Sequence, residues 1–336
     1  MADAFDAASF ERWRSDPVGF IEHCLINPET DQPFVLLDAE KQFLKHAFAL
    51  DDSGRLLYPE LIYACPKKSG KTTFAAIFVI TLMMLFGGRY AEAICCANDY
   101  EQSVGRVHAA IRRIIEASPM LRAMAKITAD KVMLADATIL AIPSGFASAA
   151  GSNQNIAVFD ELWAFASERA QRLFDELVPV PSKKIACRLT VTYAGFESES
   201  VLLLELYKRG LAQPEIAPSL HAGDGILMFW THHVIAPWQT DAWLTEMRRS
   251  LRPAQYARMI ENQFTTTEST FIDMSWWDAC VDKNLGHMVA QSNLPILHRL
   301  RRQREARLDG FGCRLLGRRQ PEDTAGHASH FSAERR

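Results

Sequence analysis

The stretch Leu61-Ile62-Tyr63-Ala64-Cys65-Pro66-Lys67-Lys68-Ser69-Gly70-Lys71-Thr72-Thr73 decides the reading of the chain. An apolar run leads in, a glycine and a lysine close the loop, and an apolar helical stretch (72–86) leads out. This is the context in which backbone amides and a helix N-terminus converge on one anion. Lys68, Ser69, Gly70, Lys71, Thr72 and Thr73 are the candidate phosphate-binding residues. Lys71 supplies a point charge to the β/γ phosphates, and Thr72 a hydroxyl for Mg²⁺. The phosphate-loop pattern opens on glycine, and Cys65 stands at that position. A glycine turn capping a buried helix also fits these residues.

About ninety residues on, Ile156-Ala157-Val158-Phe159 ends in Asp160-Glu161. Two acids at a strand's carboxyl end can divide the work of ATP hydrolysis. Asp160 would hold Mg²⁺, and Glu161 would orient and deprotonate the attacking water. A solvated acidic turn is the bland alternative. A third strand, Thr190-Val191-Thr192-Tyr193-Ala194-Gly195, ends in small and hydroxyl residues that suit sensing of a γ-phosphate. Gln42, upstream of the loop, is placed to read an adenine edge, or to face solvent from an amphipathic helix.

Working outward, short apolar runs at 61–65, 91–97, 132–134, 138–142, 156–159, 189–193 and 226–230 alternate with helical stretches at 72–86, 100–117, 168–177, 200–209, 241–250 and 253–262. That alternation predicts an α/β fold: a P-loop NTPase with a mostly parallel sheet flanked by helices. The unit 91–117 fits as an extra strand and helix between the two motifs, the ASCE arrangement found in ATP-driven motors. Residues 132–142 read as a local hairpin turning at Ala135-Asp136. Residues 5–50 read as helical, with 27–38 an extended connector. The domain reading is 1–55 lead-in, 56–265 ATPase core, 266–295 helical linker and 296–336 irregular tail.

Composition sets the limits. With 48% hydrophobic and 23% charged residues among 336, the chain buries a core and is not wholly disordered. Its formal charge of −3 excludes a globally basic nucleic-acid binder. Seven cysteines without a C-x-x-C pair exclude a disulfide framework or zinc ribbon and fit a reducing cytosol. The longest apolar run, 74–86, is too short for a membrane span, and the N-terminus lacks the basic start of a signal peptide. His232-His233 reads as an ordinary strand-end pair and Cys95-Cys96 as core. Trp276-Trp277 reads as a packing anchor. Arg112-Arg113 and Lys183-Lys184 read as exposed charged faces.

In combination these residues resemble a family. Pro33-Phe34, Gln42-Phe43-Leu44, the loop from Tyr63 to Thr72, Val158-Phe159-Asp160-Glu161-Leu162-Trp163 and Thr192-Tyr193-Ala194-Gly195 are similar to the ATPase half of a tailed-phage terminase large subunit, over roughly residues 30–285. Phe271-Ile272 and Trp276-Trp277-Asp278-Ala279-Cys280 resemble that family's linker. The resemblance implies a motor that uses ATP and Mg²⁺ to drive double-stranded DNA into a prohead in the host cytoplasm. Its implied partners are a small terminase subunit and the portal, and its implied assembly a homo-oligomeric ring. It implies adenine recognition by Gln42, phosphate and metal contacts by Lys71 and Thr72, metal binding by Asp160, catalysis by Glu161 and coupling by Thr192. Lys67 stands where the family's loop often carries Arg, so it is the implied in-chain cation for the γ-phosphate. Lys lacks the bidentate fork of Arg, which leaves room for an arginine from a neighbouring subunit.

The family normally continues into a nuclease. Here residues 296–336 hold ten Arg, no Lys and five acids, against 27 bases and 35 acids before them. The expectation is a chain truncated before the nuclease, with a frameshifted, largely disordered end. A solvated basic helix over 297–308 and a DNA-binding arm are the rival readings. A degenerate prophage remnant without packaging activity, or another P-loop DNA-dependent ATPase or helicase, are the alternative functions.

Overall fold

The computed structural model describes residues 7–97, 106–128, 131–143, 151–266, 296–298 and 313–315. The chain divides into two compact units, Met1–Thr270 and Phe271–Arg336.

Two short helices, α1 (Ala7–Ser15) and α2 (Pro17–Cys24), open the first unit. Asp16 caps α2 by accepting the Gly19 amide at 2.9 Å, and Pro17 supplies a preset first helical residue. The expected extended connector closes into a small hairpin, β1 (Ile26–Asn27) with β2 (Gln32–Pro33). Helix α3 (Asp38–Ala47) follows, its first turn closed by Glu40 accepting the Leu37 amide at 2.8 Å.

The core sheet contains β3 (Glu60–Ala64), β4 (Glu92–Ala97), β5 (Ala125–Ile127), β6 (Lys131–Leu134), β7 (Ala137–Pro143), β8 (Ile156–Asp160), β9 (Cys187–Thr192), β10 (Glu215–Ala217), β11 (Leu220–Gly223) and β12 (Ile226–Trp230). The order across it is β10-β11-β12-β3-β9-β8-β4-β7-β6-β5. The run from β12 to β7 is parallel throughout, and the outer strands on both sides are antiparallel. A parallel sheet is buried on both faces, which is why β3, β8 and β12 are buried at every residue.

The unit 91–117 lies between the motifs in sequence, as read; across the sheet β4 follows β8, and β9 lies between β3 and β8. One expectation changes. The hairpin at 132–142 forms, yet β7 also pairs in parallel with β4 and so belongs to the core sheet. Of the helix expected over 100–117, the described part is α5 (Val107–Ala117), after α4 (Lys71–Leu85).

Side-chain alternation sorts the sheet into two faces. Leu61 and Tyr63 of β3, Ile156 and Val158 of β8, and Leu189 and Val191 of β9 join one core with Phe74 and Phe78 of α4. Ile62, Ala64, Ala157 and Phe159 join the other, with Phe174, Leu203 and Leu206. Helix α4 is apolar nearly all round because it is covered on nearly every side. Phe43 of α3 packs edge-on to Tyr63 and Phe74, with centroids 5.3 and 5.8 Å away. Among the described residues no helix is long and apolar enough to cross a membrane.

The described part of the second unit is an antiparallel pair, β13 (Ile296–His298) with β14 (Cys313–Leu315). Leu297 and His298 lie in a strand and not in the rival helix over 297–308; the rest of 296–336, on which the expectation of a largely disordered tail falls, lies outside the described residues. The linker residues Phe271-Ile272 and Trp276-Trp277 lie outside the described residues.

Candidate functional site: a phosphate loop facing paired acids

The loop between β3 and α4 is held from outside. Lys71 Nζ donates to the carbonyls of Cys65 (3.0 Å) and Pro66 (3.1 Å). Gln239 Nε2 donates to the Lys67 carbonyl at 3.0 Å, and Trp238 Nε1 to that of Lys68 at 2.7 Å. Four successive carbonyls are thus occupied. Two amides are also tied, Cys65 N–H to the Thr192 carbonyl (3.3 Å) and Lys67 N–H to that of Met259 (2.7 Å). The helical ladder starts with Phe74 N–H on the Gly70 carbonyl, so the amides of Lys71, Thr72 and Thr73 precede it and are open to an anion. Gly70 adopts φ +92°, a left-handed conformation that glycine takes without a Cβ penalty. Lys68 also has positive φ, at 70°. Cys65 Sγ lies 2.9 Å from Ser69 Oγ, and burial raises its thiol to about 11, so it is an inert packing group.

The acids lie on the same sheet, one strand removed. Asp160 pairs with Val191 of β9, while Ala64 pairs with Thr192. By alternation Asp160 shares the face of Val158, the face on which α4 lies. Asp160 is 2% exposed, and neither carboxylate oxygen has a hydrogen-bond partner. Its nearest cation is Arg106, with Nη1 3.9 Å from Oδ2. Burial, helped by the neighbouring Glu161 charge, pushes its carboxyl up to about 7 against the pull of Arg106 and Lys71. Glu161 turns out of the strand at φ +57°, with its amide on the Val191 carbonyl. Trp163 Nε1 donates to Glu161 Oε2 at 2.7 Å.

An orphaned buried carboxylate beside a phosphate loop fits a divalent cation. Mg²⁺ binds through one or two protein groups, substrate phosphates and water, so a single carboxylate beside the loop is a fitting donor.

Cations collect around Tyr193. Lys71 Nζ is 5.1 Å from its ring centroid, Arg258 Cζ 5.2 Å and Lys67 Nζ 5.9 Å. Burial lowers Lys67, with Glu161 opposing that shift. Burial also pushes the Tyr193 hydroxyl up to about 12.

The remaining sequence candidates fall less tightly. Lys68 and Thr73 are exposed at the loop and first helical turn, and Thr72 is half-buried. Thr192 is fully buried and belongs to the face opposite Asp160. Its hydroxyl donates to the Tyr193 carbonyl at 2.9 Å, so it meets the loop through its backbone carbonyl. Gln42 is exposed in a groove of about 370 Å³ with Arg14, Asp16, Lys41 and Lys45. His232 Nδ1 bonds the Glu261 carbonyl at 3.0 Å, an ordinary contact. Cys95 and Cys96 are core. Lys183 is not a free charged face, because its ammonium is tied to Asn153 and Asn155. Arg106, Trp238, Gln239 and Arg258 escaped the sequence reading. Trp163, three residues after Asp160, stands in the quoted motif but was given no role there.

No protein-family model matches the sequence, and no curated protein does. Among solved structures, the HK97 bacteriophage large terminase is similar over 85% of this chain and 61% of its own length, at 15% identity and a TM-score of 0.59. The large terminase of the thermophilic bacteriophage D6E is similar over 70% of this chain and 54% of its own, at 11% identity and a TM-score of 0.50. The same protein in complex with ADP matches 69% of this chain and 54% of its own, with the same identity and TM-score. This chain therefore spans under two thirds of the length of these terminases. What it shares with them, at these identities, is the fold: a mostly parallel α/β sheet flanked by helices, as in the phage large terminases.

Proposed function

We propose that the chain is an Mg²⁺-dependent ATP hydrolase acting as the motor of a phage terminase, moving double-stranded viral DNA into a prohead. The observation that carries the reading is the outward-tied loop, one strand away from a buried Asp160 without a hydrogen-bond partner and its neighbour Glu161. ADP binding by the D6E large terminase is in keeping with a nucleotide in this place.

In this reading the loop amides and the start of α4 bind the triphosphate. Lys71 exchanges its two loop carbonyls for phosphate oxygens. Thr72 and Asp160 hold Mg²⁺, which when bound neutralises charge on the phosphates. Glu161 orients the attacking water and accepts its proton, and Lys67 faces the charge that develops on the γ-phosphate. Positioning and fixed charge supply the acceleration. Gln42 is assigned to the adenine. Thr192 is assigned to coupling, through its carbonyl on Cys65 rather than its hydroxyl. DNA is gripped by its backbone, so affinity falls with salt and ignores sequence. The small subunit, the portal and a ring of like subunits are the proposed partners, in the host cytoplasm.

Steady-state phosphate release with and without duplex DNA tests it. Wild-type turnover that is abolished in Lys71→Ala and in Glu161→Gln, with ATP binding kept in the latter, is the expected result. A chain that turns over no ATP even with DNA and partner proteins overturns it.

A further inference from the structure

We propose that Arg258 is a positioning residue for Glu161 and acts through Trp163, an inference that rests on the hydrolase reading above. Arg258 lies on the helix Pro253–Met259 and is 2% exposed. Its Nε and Nη1 are buried without hydrogen-bond partners, and it forms no salt bridge among the described residues. The guanidinium carbon instead sits 4.4 Å from the Trp163 ring centroid, 4.5 Å from that of Phe196 and 5.2 Å from that of Tyr193.

A buried cation without a carboxylate is costly, and contacts with aromatic faces offset only part of that cost. A methionine would fill the same space without the desolvation penalty. What the charge does follows from its neighbour. The face of Trp163 lies against Arg258, and its indole N–H holds Glu161 Oε2 at 2.7 Å. Attraction between guanidinium and ring fixes the indole plane, and the indole fixes the carboxylate that must meet the attacking water. The same helix reports on the loop, because the Met259 carbonyl next to Arg258 accepts the Lys67 amide at 2.7 Å. One step further on, Asn262 Oδ1 accepts the Ala194 amide at 2.7 Å, just beyond β9. Arg258 therefore ties the catalytic carboxylate to the two backbone segments that border the triphosphate.

The test uses the full chain and its Arg258→Met, Arg258→Lys, Trp163→Phe and Trp163→Phe/Arg258→Met variants. Thermal melting checks folding, titration with ATPγS reports binding, and phosphate release gives kcat and KM. Misplacing a catalytic group by about an ångström costs about 100-fold, so Arg258→Met and Trp163→Phe should each lose about that much kcat. ATPγS affinity should stay within about threefold. Arg258→Lys should recover about tenfold of the loss, because it keeps the charge over the ring. The double variant should be no slower than the slower single, since both break one chain of contacts.

Wild-type kcat in Arg258→Met overturns the proposal, as does ATPγS binding weakened in step with kcat. Multiplying losses in the double variant overturn it too. Should Arg258→Met not fold, wild-type kcat in Trp163→Phe overturns it alone. A wild-type chain without turnover overturns the hydrolase reading and this inference together. An active wild type with unaffected variants overturns only the inference.

Discussion

Replacing Asp160 by Asn should stabilise the nucleotide-free chain above neutral pH. Folding moves this carboxyl from its ordinary 3.8 to about 7, with burial the chief cause and Glu161 the second. A carboxylate whose folded value is raised favours folding in its protonated form. That contribution is fully present below 3.8 and is lost as pH rises through 7. Each pH unit in that window costs about 1.4 kcal/mol, and the full shift of roughly three units costs about 4 kcal/mol. Asn keeps the size and removes the charge. The gain of Asp160→Asn over wild type should therefore grow from near zero at the acid end to about 4 kcal/mol above pH 8, an upper estimate because Arg106 loses its partner. For a unit of this size that is on the order of 10 °C in melting temperature.

The assay is thermal and urea unfolding of both proteins from pH 4.5 to 8.5, in EDTA and without nucleotide. A variant less stable than wild type at pH 8 would refute the reasoning. So would an offset that does not change with pH, since only a titrating group produces the slope. The same substitution should abolish Mg²⁺-dependent turnover. One residue then carries a stability cost in the empty site and a metal contact in the loaded one.

Three further outcomes follow from the same geometry. Arg188→Met leaves Glu60, buried and already raised by burial, without its ion-pair partner, and should destabilise the chain by about 3–5 kcal/mol in urea unfolding. Gln239→Leu frees the Lys67 carbonyl from its only side-chain tie and should raise KM for ATP by about tenfold with a smaller change in kcat; an unchanged KM would show that the loop needs no such support. Thr192→Val removes a hydroxyl that bonds only the next carbonyl on the far face of β9, so hydrolysis should stay within about threefold while stability falls by about 1 kcal/mol. Loss of ATP turnover in Thr192→Val would place the hydroxyl, rather than the backbone, in the chemistry.

The parts of the site that are local in sequence were legible in it. A strand, a glycine and a lysine in twelve residues, and a strand ending in two acids, declare themselves because their geometry is set by neighbours along the chain. The alternation of apolar runs fixed the sheet class for the same reason. The order of strands was not legible, since nothing in the β4 or β9 run says which one lies between β3 and β8. The hairpin β1–β2 and the short strands β10 and β11 were also missed, being two to four residues long and half-exposed.

What sequence reading could not reach is the support behind the loop. Trp238, Gln239, Met259 and Asn262 touch residues 67, 68 and 194, from chain positions 68 to 192 residues away. None belongs to a motif, because a backbone carbonyl asks only for some donor, and a backbone amide only for some acceptor, at the right place. Such partners are constrained by position and not by type, apart from Arg258, whose charge has no cheaper substitute if the ring it lies on must stay fixed. The chemistry-bearing atoms of this site therefore stand in short readable words, while the atoms that hold them at working distance come from a segment that returns to the loop only in the folded chain. On the proposed reading, a loop whose carbonyls are held from that segment is already shaped for a triphosphate. Binding then need not cover the entropy of ordering it, and whatever moves the segment 236–265 must also move the loop.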